Sequence, residues 1–238
     1  MTHTLHFACE SVATDGVRST RVLPVVPRRL IVAGWTGRDR AAIDHHIEEL
    51  QALGVPPPSS VPLYYRMGAA LLTQAAQIEA LGAQSSGEAE PTLFFADGEW
   101  WLTVGSDHTD RQVETYSVAV SKQLCAKPVA TAAWRWADVA AYQDELLLSS
   151  RILEDGRWVD YQQGSLATIR PLASLRDGIY DAVPEEGSIM TCGTLGALPN
   201  AKGEGIRPAA EMEITLHDPR LHRSIVHRYA VQVLEVVA

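Results

Sequence analysis

Three things are scarce in this chain of 238 residues, and each scarcity excludes something. Cysteine appears only three times, at Cys9, Cys125 and Cys192. An odd, widely spaced set excludes a disulfide framework and a Cys-x-x-Cys metal knuckle. Basic residues number 20 against 29 acidic ones, a net charge of −9, with no Lys/Arg-rich run. No nucleic acid and no membrane surface is expected as a partner, because either would repel such a chain. No apolar run approaches the roughly 20 residues of a membrane-crossing helix. Met1 to Glu10 lack the basic-then-apolar order of a secretion leader. What remains is an ordinary globular composition, 46% hydrophobic and 21% charged, in a chain long enough for a full core. The expectation is a single-core, cytoplasmic protein.

The clearest break is Gly54-Val55-Pro56-Pro57-Pro58-Ser59-Ser60, where three prolines fix φ and remove donors. Before it, Arg38 to Leu53 reads as a helix, with Ile43, Ile47 and Leu50 at helical spacing and Gly54 where a C-terminal cap belongs. After it, Leu63 to Leu81 reads as a helix running into a strand. From Glu88 the texture changes to β-rich runs split by Asp-Gly pairs, the strongest short hairpin signal. Thr92–Ala96 and Glu99–Val104 flank Asp97-Gly98, and Leu146–Leu153 and Trp158–Gln162 flank Asp155-Gly156. Glu213–Leu216 and Tyr229–Val237 add two more strands. Helices early and strands late predict an α+β protein built on a rolled, mixed β-sheet. Residues 1–60 are expected to form an N-terminal extension with a possible lid helix, and residues 61–238 the catalytic β-roll.

The first hairpin carries a chemical consequence. A two-residue loop at Asp97-Gly98 pairs Ala96 with Glu99, and the same register carried outward sets Glu88 opposite Asp107. Cross-strand partners share a face with Cβ atoms about 5 Å apart, and Glu90, two residues from Glu88, lies on that face too. Three converging carboxylates repel one another unless a cation is present. An oxygen-only set suits Mg²⁺, Mn²⁺ or Ca²⁺ rather than Zn²⁺. The register has one hazard, Pro91, which marks an edge or a bulge, and one inserted residue would flip the faces. The alternative is that Glu88 and Glu90 are solvated loop acids and Asp107 opens a turn.

Read in order, the segments Gly87-Glu88-Ala89-Glu90, Ser106-Asp107-His108-Thr109-Asp110-Arg111, Lys122, Asp155-Gly156-Arg157 with Tyr161-Gln162-Gln163-Gly164, and Gly187-Ser188-Ile189-Met190-Thr191-Cys192-Gly193-Thr194 resemble the fumarylacetoacetate hydrolase superfamily. The likeness covers residues 85–200, and its last motif is the most specific. The whole chain looks most like an uncharacterised bacterial branch carrying Gly-Ser-Asp-His-Thr-Asp-Arg. The resemblance implies a β-roll and a divalent metal, usually Mg²⁺, on Glu88, Glu90 and Asp107, the three that the hairpin register brings together. It also implies Lys122 as the family's catalytic lysine. Arg111, Gln162, Gly193 and Thr194 would be substrate-contacting residues, in a homodimer. Members act on 2-oxo or 1,3-dioxo acids by C–C hydrolysis, decarboxylation or isomerisation, so the fold alone does not choose a reaction. His108, Asp110 and Leu195 depart from the pattern.

Some relatives use a His-x-x-Glu dyad on a helical lid, and Asp44-His45-His46-Ile47-Glu48-Glu49 offers two frames for it. At about 100° per residue His46 falls on the apolar arc between Leu53 and Leu50, whereas His45 falls on the polar side. Glu49, at i+3, can orient His46. His46/Glu49 is therefore the expected base, activating water while the metal stabilises the departing enolate. A core-edge histidine is the structural alternative, and His108 is the fallback base. The competing functions are a non-catalytic metal- or metabolite-binding protein on the same roll, and an amide or lactone hydrolase.

Overall fold

Asp97 and Gly98 both take left-handed backbone angles, φ 54° and 75°, as the two-residue type I′ turn requires. That turn joins the central strands of a computed structural model that describes residues 3–52, 57–179 and 184–237. Strands β1 (Leu5–Val12), β2 (Arg18–Val25) and β3 (Arg29–Gly34) precede helix α1 (Arg40–Ala52). Then come β4 (Leu63–Met67), β5 (Leu72–Thr73), β6 (Gln77–Leu81), β7 (Ser85–Ser86) and the hairpin of β8 (Ala89–Ala96) and β9 (Glu99–Ser106). β10 (Thr109–Asp110), α2 (Arg111–Glu114), α3 (Val118–Gln123), β11 (Lys127–Pro128), β12 (Ala132–Arg135) and α4 (Trp136–Val139) follow. β13 (Leu147–Glu154), β14 (Arg157–Ser165), α5 (Leu172–Asp177), β15 (Ser188–Thr191), β16 (Glu211–Asp218) and β17 (Arg223–Leu234) complete the described order.

Two sheets dominate. The larger runs β2-β1-β12-β9-β8-β15-β3-β4, and the smaller runs β14-β13-β16-β17-β6. One core lies between them, with Leu93, Leu102 and Val104 of the large sheet against Leu148, Ile214 and Leu216 of the small one. A second core, including Phe7, Leu30, Phe94, Trp101 and Ile189, covers the opposite face of the large sheet. A central strand buried on both faces explains why β8 is continuously buried rather than alternating. Burying each such side chain stabilises the fold by roughly 1.5–3 kcal/mol before chain entropy is counted. The architecture is the expected α+β mixed sheet. Among the described residues, no helix is long and apolar enough to cross a membrane.

Several expectations need correction. Strands begin at Leu5, so helices do not precede strands. β1 pairs in parallel with β12, and β3 in parallel with β15. Residues 1–60 therefore do not stand apart as an extension, because three of their strands lie inside the large sheet; among the described elements of this segment, α1 lies outside it. Leu63 opens a strand rather than a helix, and between β4 and β6 the one helical element is a single 3₁₀ turn at Ala69–Leu71. Helix α1 starts at Arg40 because Asp39 Oδ1 accepts the N–H groups of Ala41 and Ala42, at 2.9 and 3.1 Å. Arg38 is held elsewhere, its N–H on the Thr168 carbonyl at 2.8 Å and its guanidinium on Asp144. Pro91 is neither edge nor bulge. It pairs with Val104 in mid-sheet, and its carbonyl accepts the Cys192 N–H at 3.0 Å just where β15 ends, so its missing donor falls at the end of that ladder.

Candidate metal centre

The β8–β9 register runs without interruption from Ala96–Glu99 to Ala89–Ser106. One step further, the Asp107 N–H donates to the Glu88 carbonyl at 2.9 Å. The strand period puts Glu88 and Glu90 on one face, with Asp107 opposite Glu88. Their carboxylate oxygens meet, one atom from each residue, within 4.8 Å of one another. Glu90 and Asp107 are buried and Glu88 is partly so.

Each acid has a different environment. Lys122, in the last turn of α3, pairs with Asp107 Oδ2 and stands 3.9 Å from Glu88 Oε2. Lys127 Nζ lies 3.1 Å from Asp107 Oδ1. Burial pulls the Asp107 carboxyl upward, but the two ammonium groups outweigh it and hold the carboxyl at about 2. Arg111 Nη2 sits 3.0 Å from Glu88 Oε1. Its Nη1 sits 2.9 Å from Glu114 Oε2, and its Nε donates to Ser86 Oγ at 2.7 Å. Glu90 has no such cation in contact among the described residues. Its Oε2 accepts the Gly193 N–H at 2.9 Å, and burial, then Asp107 and Glu88, push it up to about 8. Burial favours the neutral form of Lys122, yet Asp107 and Glu88 hold it above the usual lysine range.

These residues fit a hard divalent cation. The donor set is all oxygen. Asp107 Oδ1 is buried and charge-paired but accepts no hydrogen bond, so its lone pairs are open. Glu90 holds a proton at neutral pH that a cation can replace.

The other expected residues are less free than the resemblance implied. Gln162 is 1% exposed and uses its whole amide inside the protein. Its Oε1 accepts from the Ala89 N–H at 2.9 Å and from the Ser150 hydroxyl at 2.8 Å. Its Nε2 donates to Thr194 Oγ1 at 2.6 Å and to the Leu195 carbonyl at 2.7 Å. Thr194 in turn donates its hydroxyl to the Ala89 carbonyl at 2.9 Å. Gln162 and Thr194 thus brace β8 with all of their side-chain donors. Gly193 is committed to Glu90, and its φ of +97° and its contact with Thr36, 1.7 Å from any added Cβ, exclude a side chain there. Arg111 is a member of the ion network, while its buried Nη2 makes no hydrogen bond. The fallback base His108 points away from the carboxylates, as alternation from Asp107 demands. It contacts Tyr229 OH at 3.3 Å and Ser85 Oγ at 3.0 Å. Burial first, then Lys127 and Arg111, lower it to about 3. The side chains of His46 and Glu49 lie outside the described residues.

Two residues were missed. Tyr65, across β4, feels the charges of Lys122, Glu114 and Asp107 and hydrogen-bonds to Trp35, so it stands beside the centre. Lys127 is a second lysine on Asp107. Its signal was a lone charge inside the apolar run from Leu124 to Trp134.

Residues 33–229 match the family described as "Protein of unknown function (DUF2848)". The chain belongs to that family. No curated protein matches it. Among solved structures it is similar to fumarylpyruvate hydrolase from Pseudomonas aeruginosa in complex with Mn²⁺ and pyruvate, at 15% identity and a TM-score of 0.58 over 95% of this chain and 96% of that one. It is also similar to 2-keto-3-deoxyarabinonate dehydratase, at 13% identity and a TM-score of 0.60 over 92% of this chain and 78% of that one. A third likeness is to 5-carboxymethyl-2-hydroxymuconate delta-isomerase from Mycobacterium smegmatis, at 13% identity and a TM-score of 0.55 over 93% and 84% of the two chains. At these identities the likeness establishes the fold, which is the fumarylacetoacetate hydrolase-like roll.

Proposed function

We propose that this DUF2848 member is a divalent-metal-dependent enzyme acting on 2-oxo or 1,3-dioxo carboxylic acids, breaking a C–C bond by hydrolysis or decarboxylation. The observation that carries this reading is the convergence of Glu88, Glu90 and Asp107 within 4.8 Å beside Lys122. The hydrolase of the same fold that holds Mn²⁺ and pyruvate, itself a 2-oxo acid, supports it. Mg²⁺ or Mn²⁺ bound by the three carboxylates would supply Lewis acidity.

The protein's own groups supply the rest. Glu90 gives up its proton as the cation enters, which keeps the charge of the buried set balanced. Lys122, at the rim, turns its ammonium toward the substrate carboxylate and the negative charge that develops beside the broken bond. Arg111 keeps Glu88 aligned through its ion pair. Gln162, Thr194 and Gly193 hold β8 and Glu90 in place. In the hydrolytic version, His46, oriented by Glu49, takes a proton from the attacking water, a contribution worth about 10²–10⁴ in rate.

A second reading, a non-catalytic metal- or metabolite-binding protein, is favoured by one observation: the expected substrate contacts spend their hydrogen bonds internally. Incubating the protein with oxaloacetate and a series of acylpyruvates, with Mg²⁺ or Mn²⁺ and with chelator, separates the two. Metal-dependent release of pyruvate supports the enzyme. Metal-dependent thermal stabilisation with no turnover across the series supports the binder.

A further inference from the structure

Arg207 and Arg223 are buried, and each holds carboxylates: Glu154 in one case, Asp218 and Glu10 in the other. Arg170 is the exception. It is partly buried, and its Nε is enclosed and makes no hydrogen bond. Among the described residues no carboxylate lies within ion-pair distance of it, in a chain with nine more acidic than basic residues. A buried charge left unpaired is costly. The backbone fixes its place: the Arg170 N–H donates to the Thr36 carbonyl and the Arg38 N–H to the Thr168 carbonyl, both at 2.8 Å, with Gly37 opposite Ile169. The guanidinium is a neighbour of the Tyr64 phenol, which burial raises above its usual range and the Arg170 charge draws back. Tyr64 is itself held, its hydroxyl donating to the Leu175 carbonyl at 2.9 Å. Gly178 makes room for it, since an added Cβ there would lie 2.5 Å from that hydroxyl. Tyr65 looks toward the carboxylate centre. Consecutive strand residues face opposite ways, and Tyr64 packs instead against the core between the two sheets. Arg66, two residues on, shares the Tyr64 face, opposite Ile31. It is exposed, and among the described residues it too has no carboxylate within ion-pair distance.

We propose that Arg170 and Arg66, with Tyr64 as the wall between them, form a second ligand site that takes a small dicarboxylate. Guanidinium pairs carboxylates through parallel N–H bonds, and inside the protein nothing fills that role for either arginine. Arg66 is rooted about 6.5 Å along β4 from Tyr64, whereas Arg170 meets the phenol from a different segment. Two guanidinium groups on separate supports suit two separate carboxylates, while a phosphate would draw both onto one centre. The site lies on the reverse face of β4 from Glu88, Glu90 and Asp107, so it stands whether or not those three hold a metal.

The test uses the full chain, isotopically labelled and kept in chelator, with succinate as probe and butyrate and inorganic phosphate as comparisons. Nuclear magnetic resonance follows the arginine Nε–H signals, and the Arg170 signal is the one missing from Arg170→Lys. Millimolar succinate should shift it saturably. A hydrogen-bonded charge pair is worth about 10–100-fold in affinity, and that loss is expected for Arg170→Gln. Arg66→Gln, at an exposed and solvent-screened position, should cost about threefold. Arg157→Gln, which removes an exposed arginine elsewhere, should cost nothing. Arg170→Gln should also melt no lower than wild type, because the charge it removes has no partner. An Arg170 signal that millimolar succinate leaves unmoved overturns the site, as does equal succinate binding by wild type and Arg170→Gln. A lowered melting temperature with succinate binding intact makes Arg170 a packing residue and overturns it equally. Butyrate binding as tightly as succinate, or phosphate more tightly, overturns the dicarboxylate assignment. If Arg170→Gln does not fold, the wild-type titration and Arg170→Lys, which keeps the charge without the fork, decide in the same way.

Discussion

Asp107 and Glu88 face each other one step beyond the last paired rung of the β8–β9 hairpin, tied by the Asp107 N–H on the Glu88 carbonyl at 2.9 Å. The distance from that bond to the turn is a whole strand, yet the turn sets it. Positive φ at Asp97 and Gly98 fixes the pairing of Ala96 with Glu99, and no bulge intervenes. A one-residue slip would send Asp107 to the opposite face from Glu88 and dissolve the centre. Turn chemistry and site chemistry are therefore one constraint.

Glu90→Gln tests the centre directly. Glutamine matches the protonated carboxyl that burial enforces, so the metal-free variant should melt at or above wild type at pH 8. Mn²⁺ stabilisation, which reaches about 2.7 kcal/mol at 100-fold the Kd, should vanish. Glu88→Ala and Asp107→Asn should lose it too. Thermal melts with and without Mn²⁺ give both numbers, and a variant that retains the full metal shift removes Glu90 from the ligand set.

The pH dependence has a defined sign. Glu90 moves from 4.5 to about 8 on folding, so the metal-free native state keeps a proton that the unfolded chain has released. Its contribution is full below 4.5 and is lost as pH rises through 8, so metal-free stability should fall across that window. Asp107 acts oppositely, its contribution present above 3.8 and lost as pH falls through about 2. Mn²⁺ affinity should climb about tenfold per unit up to pH 8, because binding displaces the Glu90 proton. Calorimetric titration at pH 6, 7 and 8 measures this slope, and a flat profile excludes proton displacement from Glu90.

How much of this was legible depends on how far apart in the chain the interacting parts lie. The Asp97-Gly98 and Asp155-Gly156 hairpins were readable because a two-residue turn specifies its own register. The strands β1 and β2 carried a related mark, Asp15-Gly16 between Val12 and Arg18, with alternating Leu5, Phe7 and Cys9. Their position in the large sheet was not readable, since β1–β12 and β3–β15 are parallel pairings across more than half the chain. Gln162 shows a different limit. Its residue type fits a substrate contact and a brace equally well, and only the four internal partners decide. Lys127 was hidden because a lysine is ordinarily a surface residue, and its burial follows from Gly105 on another strand.

Gln162→Leu should act through stability. It removes the partners of the buried Ala89 N–H and the Ser150 hydroxyl, and each unmet buried group costs about 1–3 kcal/mol. In a chain of this size that corresponds to a fall of several degrees in melting temperature, since 1 kcal/mol is worth about 2–4 °C. Metal affinity should weaken with it, because Ala89 lies between Glu88 and Glu90. A raised KM at unchanged melting temperature would instead restore the substrate-contact role.

His45 and His46 are consecutive in the sequence of α1, and positions about 100° apart on a helix fall on different faces of the helical wheel. His45 is exposed, whereas the apolar arc of the sequence assigns His46 to the side of Ile43, which is 9% exposed and in contact range of Gly37. Gly37 adjoins Thr36, and Thr36 packs on Gly193, the residue whose N–H holds Glu90. The start of α1 is thus linked through three residues to the carboxylates. His46→Ala should remove about 10²–10⁴ of the hydrolytic rate and leave Mn²⁺ affinity unchanged, while His45→Ala should be neutral in both. Glu49→Gln should fall between them, since it disorients the imidazole without deleting it. The rates, the Mn²⁺ titration and the melting temperature are measured on all three variants. Equal losses at His45 and His46 defeat the helical-face argument, and a destabilised His46→Ala with normal turnover makes His46 a packing residue.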